Sequence, residues 1–242
     1  MGTDEFKNMS DTVPETYTEY ESNHNGLEFT DWLRESAEPE WTRMLEHQFV
    51  KELSDGTIDD GVFERYLIQE WAFVKTAASV FGYAVGKAPS FEEKQHLTAV
   101  LTGLTNEQAG YFTHAFDAYD VPPERRSSPD LPQDAYLLQE LVLRAAADGG
   151  YEEALAPMAA AEWLYLMISR SAEDNLTNRP HINEWIDLHV TEEFENGSKW
   201  LRARLDEYGP ELPEYRQRQV RQFFCRAVSL EITFHDAPYQ EW

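Results

Sequence analysis

Residues 63–74 read FERYLIQEWAFV, and the spacing of apolar residues in this stretch decides the fold class. Phe63, Leu67, Glu70 and Val74 stand at i, i+4, i+7 and i+11, which is one stripe of an α-helix. Three of the four positions are apolar and the fourth is a glutamate. The same period extends outward into a helix over about 59–86, entered through Asp59 and Asp60. Elsewhere it predicts a helical region over about 30–53, bent near Pro39, and another over about 90–118, interrupted at Gly103. Further helices are expected over about 133–148, 151–172, 181–208 (in two pieces) and 211–237, with Gly149-Gly150 and Gly209-Pro210 as stops. PPERRSSPDLP, residues 122–132, reads as a loop. No sustained period-two alternation is present, so the chain is expected to be all-α, a bundle with its site between facing helices.

Composition narrows the partners. The 242 residues are 42% hydrophobic and include 45 Asp and Glu against 20 Lys and Arg, a formal net charge of -25. A field of that sign repels nucleic acid and anionic membranes, because both are held by basic residues on phosphates. The acid is spread along the chain instead of forming a tail. That pattern keeps a protein hydrated in concentrated salt, and it is the pattern expected of a halophilic, haloarchaeal protein. A single cysteine, Cys225, excludes an internal disulfide and suits a reducing compartment, so a cytoplasmic location is expected. Residues 1–26 read as a polar flexible leader and 27–242 as a single helical domain.

Two more stripes repeat the pattern of the opening stretch. In LAPMAAAEWLYLMISR (155–170) the stripe is Leu155, Met158 or Ala159, Glu162 and Leu166; near the C-terminus it is Phe224, Val228, Glu231 and His235. Three long helices therefore each turn one carboxylate toward the core. A single buried glutamate can be bonded to an arginine or a helix end. Three on separate helices point instead to a shared cavity in which hydrogen bonds, water or a ligand offset desolvation. A carboxylate-bridged metal pair in a bundle needs a histidine three residues after the glutamate on two helices. None of the three inward glutamates has one, the histidines are scattered, and no metal site is expected.

FERYLIQEWAFV, the segment from Pro157-Met158 to Glu162, NEWIDLH (183–189) and LEITFHDAPY (230–239) occur in the order and near the spacing of the TenA/thiaminase II family, which this chain resembles over nearly its whole length after the leader. The resemblance implies a haem-oxygenase-like helical bundle, a homotetramer, and a buried pocket for the aminopyrimidine half of thiamin. It also implies a cofactor-independent hydrolase that releases hydroxymethylpyrimidine from aminopyrimidine or formylaminopyrimidine degradation products. Many members carry a nucleophilic cysteine where this chain has Met158, and a thioether cannot be ionised to attack carbon. Cys225 is no substitute, lying about 120° around the helix from Glu231. A Cys-lacking branch of the family carries an inward glutamate at the position of Glu162, and this chain resembles that branch.

By the same resemblance, Glu70 accepts hydrogen bonds from the pyrimidine amino group and ring nitrogen, Glu231 transfers the proton, and Glu162 stands near the leaving group or the attacking water. Phe73, Tyr136 and Phe234 are expected as aromatic walls, and His189 stands where the family often has tyrosine. Two other readings compete: a non-catalytic pyrimidine-binding module, and a cofactor-free oxidase of the PQQ-synthesis type on the same fold. The resemblance and an apolar first region with Trp32, Leu33, Trp41 and Met44 predict a homotetramer, most stable at high salt where the charge is screened. Light scattering in molar salt should return four chains per particle, and a monomer there would contradict the expectation.

Overall fold

The computed structural model describes residues 13–24, 26–175 and 177–242. Among them there is no strand, and thirteen α-helices follow one another. They are α1 (Tyr17–Asn23), α2 (Phe29–Ser36), α3 (Glu40–Leu45), α4 (Gln48–Ser54), α5 (Asp60–Lys87), α6 (Phe91–Gly103), α7 (Ala109–Ala118), α8 (Pro123–Ser127), α9 (Gln133–Asp148), α10 (Tyr151–Ala172), α11 (Pro180–Leu188), α12 (Glu192–Tyr208) and α13 (Glu214–Asp236). A π-helical turn, Leu104–Gln108, joins α6 to α7. The expected interruption at Gly103 is therefore a widening of the helix and not a break.

Local chemistry sets the boundaries. The Asp59 side chain accepts from the backbone N–H of Gly61 and Val62 and so caps α5. Ser90 and Glu93 form a reciprocal capping box at α6, and Thr191 caps α12 through the Phe194 N–H. α10 lies at the centre, packed against α5, α9, α12 and α13. Its alanines explain why it can be surrounded, since Ala154, Ala156, Ala159 and Ala160 have no accessible surface and let neighbouring helices approach closely. The three stripes read from sequence face inward as expected, with Phe63, Leu67, Leu155, Phe224 and Val228 all buried.

Two expectations are corrected. The polar reading of residues 1–26 does not hold at α1, where Tyr17 and Tyr20 are buried and the Tyr17 hydroxyl donates to the Leu27 carbonyl at 2.9 Å. The Tyr17 ring packs on Phe29 and Trp32, an apolar contact that composition averaged over the segment conceals. Residues 1–12 of that leader lie outside the described residues. The expected loop at 122–132 contains α8, begun by a proline at its first helical position and pinned by Arg125 to Glu64 at 2.7 Å.

One buried ion pair fixes α10 against α13. Glu153, 2% exposed, accepts from Arg216 Nε at 2.9 Å and from the Gly150 N–H at 2.8 Å. A Cβ at Gly150 would run into the Arg216 guanidinium, so a side chain there would push the arginine off Glu153. Removing one partner of a buried pair leaves the other charge uncompensated. Arg216→Ala should therefore cost about 3–5 kcal/mol in chemical denaturation at fixed salt. A loss below about 1 kcal/mol would place the pair among ordinary surface bridges.

Candidate active site

Glu70 lies on the buried face of α5 and is 4% exposed. Its partner comes from α11: Trp185 donates its indole N–H toward both carboxyl oxygens, at 3.1 and 2.9 Å. Burial raises the Glu70 pKa to about 8, the Trp185 bond drawing it partly back. One turn before Glu70, Tyr66 donates its hydroxyl to that of Tyr165 on α10 at 3.2 Å. Between them Gln69, with no accessible surface, donates its amide to the Phe234 carbonyl at 2.5 Å and so ties α5 to α13 beside both carboxylates.

Glu231 sits deeper still. It is 1% exposed and neither carboxyl oxygen has a hydrogen-bond partner among the described residues. Burial, reinforced by the charge of Glu70, pushes its pKa up to about 8. A carboxyl so placed keeps its proton near neutrality, because a bare charge without donors is far costlier than a neutral acid. His235, one turn on, does not supply the missing donor. Its Nδ1 bonds the Glu231 backbone carbonyl at 2.8 Å, and burial lowers its pKa to about 3, so the ring is neutral.

Glu162 on α10 is half-buried and desolvation raises its pKa to about 7. Together with Glu70, Phe73, Met158, Tyr165 and His189 it lines a cavity of about 40 Å³. That is room for a few waters and less than one ring, so a ring entering must displace side chains at the cavity mouth. Leu104, Gln108 and Phe194 also line it, the first two from the π-helical turn. His189, at the end of α11, gives its Nδ1 to the Trp185 carbonyl at 2.7 Å, and burial lowers its pKa to about 4. With the proton on Nδ1 the ring presents an unprotonated Nε2 on its opposite edge.

The structure thus gathers Glu70, Glu162, Phe73 and His189 around one cavity. Glu231 and Phe234 stand one layer behind it, Phe234 edge-on to Phe73 at 5.9 Å between ring centres. Tyr165 lines the cavity, and the charge of Glu231 is the foremost neighbour opposing ionisation of its hydroxyl. Tyr136 does not belong to the site. It is 42% exposed on the first turn of α9, off the buried stripe formed by Ala135, Leu138, Leu141 and Val142, and the expectation of an aromatic wall there is corrected. Met158, 2% exposed, does face the cavity from the position after Pro157. Cys225 is half-buried outside it, and burial pushes its thiol up to about 11.

Sequence reasoning missed Trp185, Tyr66 and Tyr165. The signal for Trp185 was present in NEWIDLH, four residues before His189 and therefore one turn away on the same face. Glu-x-x-His spacings do occur twice outside the inward stripes, at Glu21–His24 and Glu93–His96. Glu93 is engaged by Ser90 and by the Tyr208 hydroxyl at 3.0 Å, while His96 stacks on Trp200. Among the described residues no group of three His, Cys, Asp or Glu converges as a metal-ligand set.

This fold and cavity have known relatives. Residues 34–241 match the model of the TENA/THI-4/PQQC family, and the chain belongs to that family. The aminopyrimidine aminohydrolase of Halalkalibacterium halodurans is 21% identical over 217 residues, 89% of this chain and 97% of the relative. A TenA homologue from Pyrococcus furiosus superposes with a TM-score of 0.79 at 22% identity, covering 87% of this chain and all of that one. A domain from Shewanella denitrificans with a heme oxygenase-like fold gives 0.66 at 15% identity over 88% of this chain and 93% of that one. The fold is the all-α, haem-oxygenase-like bundle.

The buried groups make stability depend on pH with a definite sign. Glu70 and Glu231 titrate near 8 when folded against 4.5 when free, so their contribution is whole below about 4.5 and lost as pH rises through about 8. His189 and His235, lowered to about 4 and about 3, contribute above their free value of 6.5 and lose that contribution only as pH falls through those lowered values. Between about pH 6.5 and 8 the raised carboxyls set the slope, Glu162 adding to Glu70 and Glu231 up to about 7, and the melting temperature at constant salt should fall. The double variant Glu70→Gln/Glu231→Gln should flatten that fall. An equally steep fall in the variant would assign it to other groups.

Proposed function

We propose that the protein is a hydrolase of thiamin salvage, releasing hydroxymethylpyrimidine from an aminopyrimidine or formylaminopyrimidine product of thiamin degradation. The observation that carries this reading is a set of three carboxyls raised toward or above neutrality, Glu70 and Glu162 in the wall of one cavity and Glu231 one layer behind it. Family membership and relatives named aminopyrimidine aminohydrolase support it.

The chemistry follows from what each carboxyl can hold. A carboxyl that keeps its proton to about pH 8 offers one donor and one acceptor in a plane. Glu70 in that form pairs with the amino group and the adjacent ring nitrogen of an aminopyrimidine by two bonds, and the pair is the same whichever side carries the proton. Trp185 holds the carboxyl in orientation from behind. In the cleavage the exocyclic C–N bond breaks and its electron pair leaves with nitrogen, which takes up one proton. Water oxygen bonds to the methylene carbon and gives up one proton. In this reading Glu231 supplies the first proton and Glu162 at the cavity wall takes the second. No thiolate is needed, consistent with Met158 and with the Cys-lacking branch of the family. His189 accepts a hydrogen bond from ligand or water through Nε2, and Phe73 packs on the ring. The assembly in this reading is a homotetramer in a cytoplasm of high salt.

Ammonia release from aminomethylpyrimidine tests the assignment. Glu231→Gln should lower kcat by about 10²-fold or more with pyrimidine binding nearly intact. Glu70→Leu, which removes both the donor and the acceptor, should chiefly weaken binding. A parent protein that binds the pyrimidine without releasing ammonia would make the binding-module reading the correct one.

A further inference from the structure

Behind the cavity, α13 buries two titratable side chains one turn apart, Glu231 and His235, each 1% exposed. Both Glu231 carboxyl oxygens and His235 Nε2 are without a hydrogen-bond partner among the described residues. The remaining ring nitrogen, His235 Nδ1, lies 2.8 Å from the Glu231 backbone carbonyl and 3.6 Å from Oε2 of the same residue. The first contact is a hydrogen bond, and the second is just too long to be one. One N–H thus stands before two acceptors of Glu231 and uses the nearer.

The ring is held in this position from several sides. Phe49 of α4, Tyr66 of α5 and Tyr165 of α10 enclose it, with ring centres at 5.0, 5.4 and 5.9 Å. His47, at 6.2 Å, has both nitrogens engaged: Nδ1 accepts from the Phe49 N–H at 3.1 Å and Nε2 bonds Asp236 at 3.0 Å. The titratable groups facing the pair are therefore Tyr66 and Glu70 on α5, Tyr165 on α10, His47 before α4 and Asp236 at the exposed end of α13. Among the described residues none of them donates to Glu231. A neutral carboxyl gains little from the Nδ1–H, whereas a carboxylate gains a charge-assisted bond, roughly twice as strong as a neutral one.

Resting on the reading of Glu231 as proton donor in the hydrolysis, we infer that His235 is a positioning residue for that donor: its Nδ1–H stays on the backbone carbonyl while Glu231 is protonated and closes on Oε2 once the proton has left. The proton passes from the carboxyl to the departing nitrogen, and His235 neither gains nor loses one. Its part is to meet the negative charge left behind with a donor already in place. Without it that charge forms in a dry interior with no donor, opposed by Glu70.

The test follows the infrared C=O band of the protonated Glu231 carboxyl, assigned by its loss in Glu231→Gln, through a pH titration at constant salt. In His235→Phe, which keeps an aromatic ring and removes the donor, the midpoint should rise by about one pH unit, because the bond favours the charged form. His235→Asn, whose amide can donate from the place of Nδ1, should bring the midpoint most of the way back. The upper limb of kcat against pH should move with it while KM holds, and a residue that only filled space would move neither. His235 is itself neutral over this range, so the midpoint is not its own. One measurement needs no substitution: in the parent, the His235 Nδ1–H proton resonance should shift downfield through the same midpoint. A midpoint unmoved in His235→Phe, one as high in His235→Asn as in His235→Phe, or a resonance unmoved in the parent overturns the inference and leaves the hydrolase reading standing. If the midpoint moves as expected but the parent releases no ammonia from aminomethylpyrimidine, the hydrolase reading falls and the contact of His235 with Glu231 stands.

Discussion

Keeping carboxyl groups out of water is the constraint around which this molecule is arranged. Glu70 and Glu231 reach the same raised pKa, about 8, by different routes. Glu70 is desolvated and then partly relieved by two contacts from the Trp185 indole. Glu231 is desolvated without relief, and the charge of Glu70 adds to the penalty. The two are therefore coupled, the ionisation of one opposing that of the other, and the protons belong to the pair. Only a scaffold whose backbone is already satisfied within long helices can hold such groups in its interior, since no backbone donor or acceptor is left over to compete for them.

Burial alone does not mark a functional carboxylate in so acidic a chain. Among the described residues four glutamates are buried: Glu70, Glu93, Glu153 and Glu231. Glu93 closes a capping box and receives Tyr208, and Glu153 receives Arg216 and the Gly150 N–H. Both are compensated by donors, and their role is to fix helix ends and the contact of α10 with α13. Glu231 is set apart because its oxygens have no donor, and Glu70 because its donor is a neutral indole on the wall of a cavity. Glu162, in the wall of that cavity with a pKa near 7, is the third member by position and not by depth.

The helical period determined a great deal. An apolar residue every third or fourth position has one inward solution, so the stripes on α5, α10 and α13 were legible, and with them the inward turn of Glu70, Glu162 and Glu231. The glycine pairs and prolines set most boundaries, because backbone freedom and missing N–H groups act locally. Where neighbours outside the segment decide, the reading failed. Tyr17 and Tyr20 are buried, Tyr17 against Phe29 and Trp32, and Tyr136 turns outward with the first turn of α9.

From the sequence alone came the all-α fold, the family resemblance, the acidic surface and the identity of three inward carboxylates. The tertiary structure alone placed Glu231 behind the cavity and not in its wall, aimed the Trp185 indole at Glu70, and opened the cavity that Glu70 and Glu162 line. The division has a physical cause. Which face of a helix is buried is fixed by spacing along one segment, whereas depth, donor direction and cavity shape depend on how helices more than a hundred residues apart cross and rotate against one another, as Glu70 and Trp185 do at a separation of 115 residues.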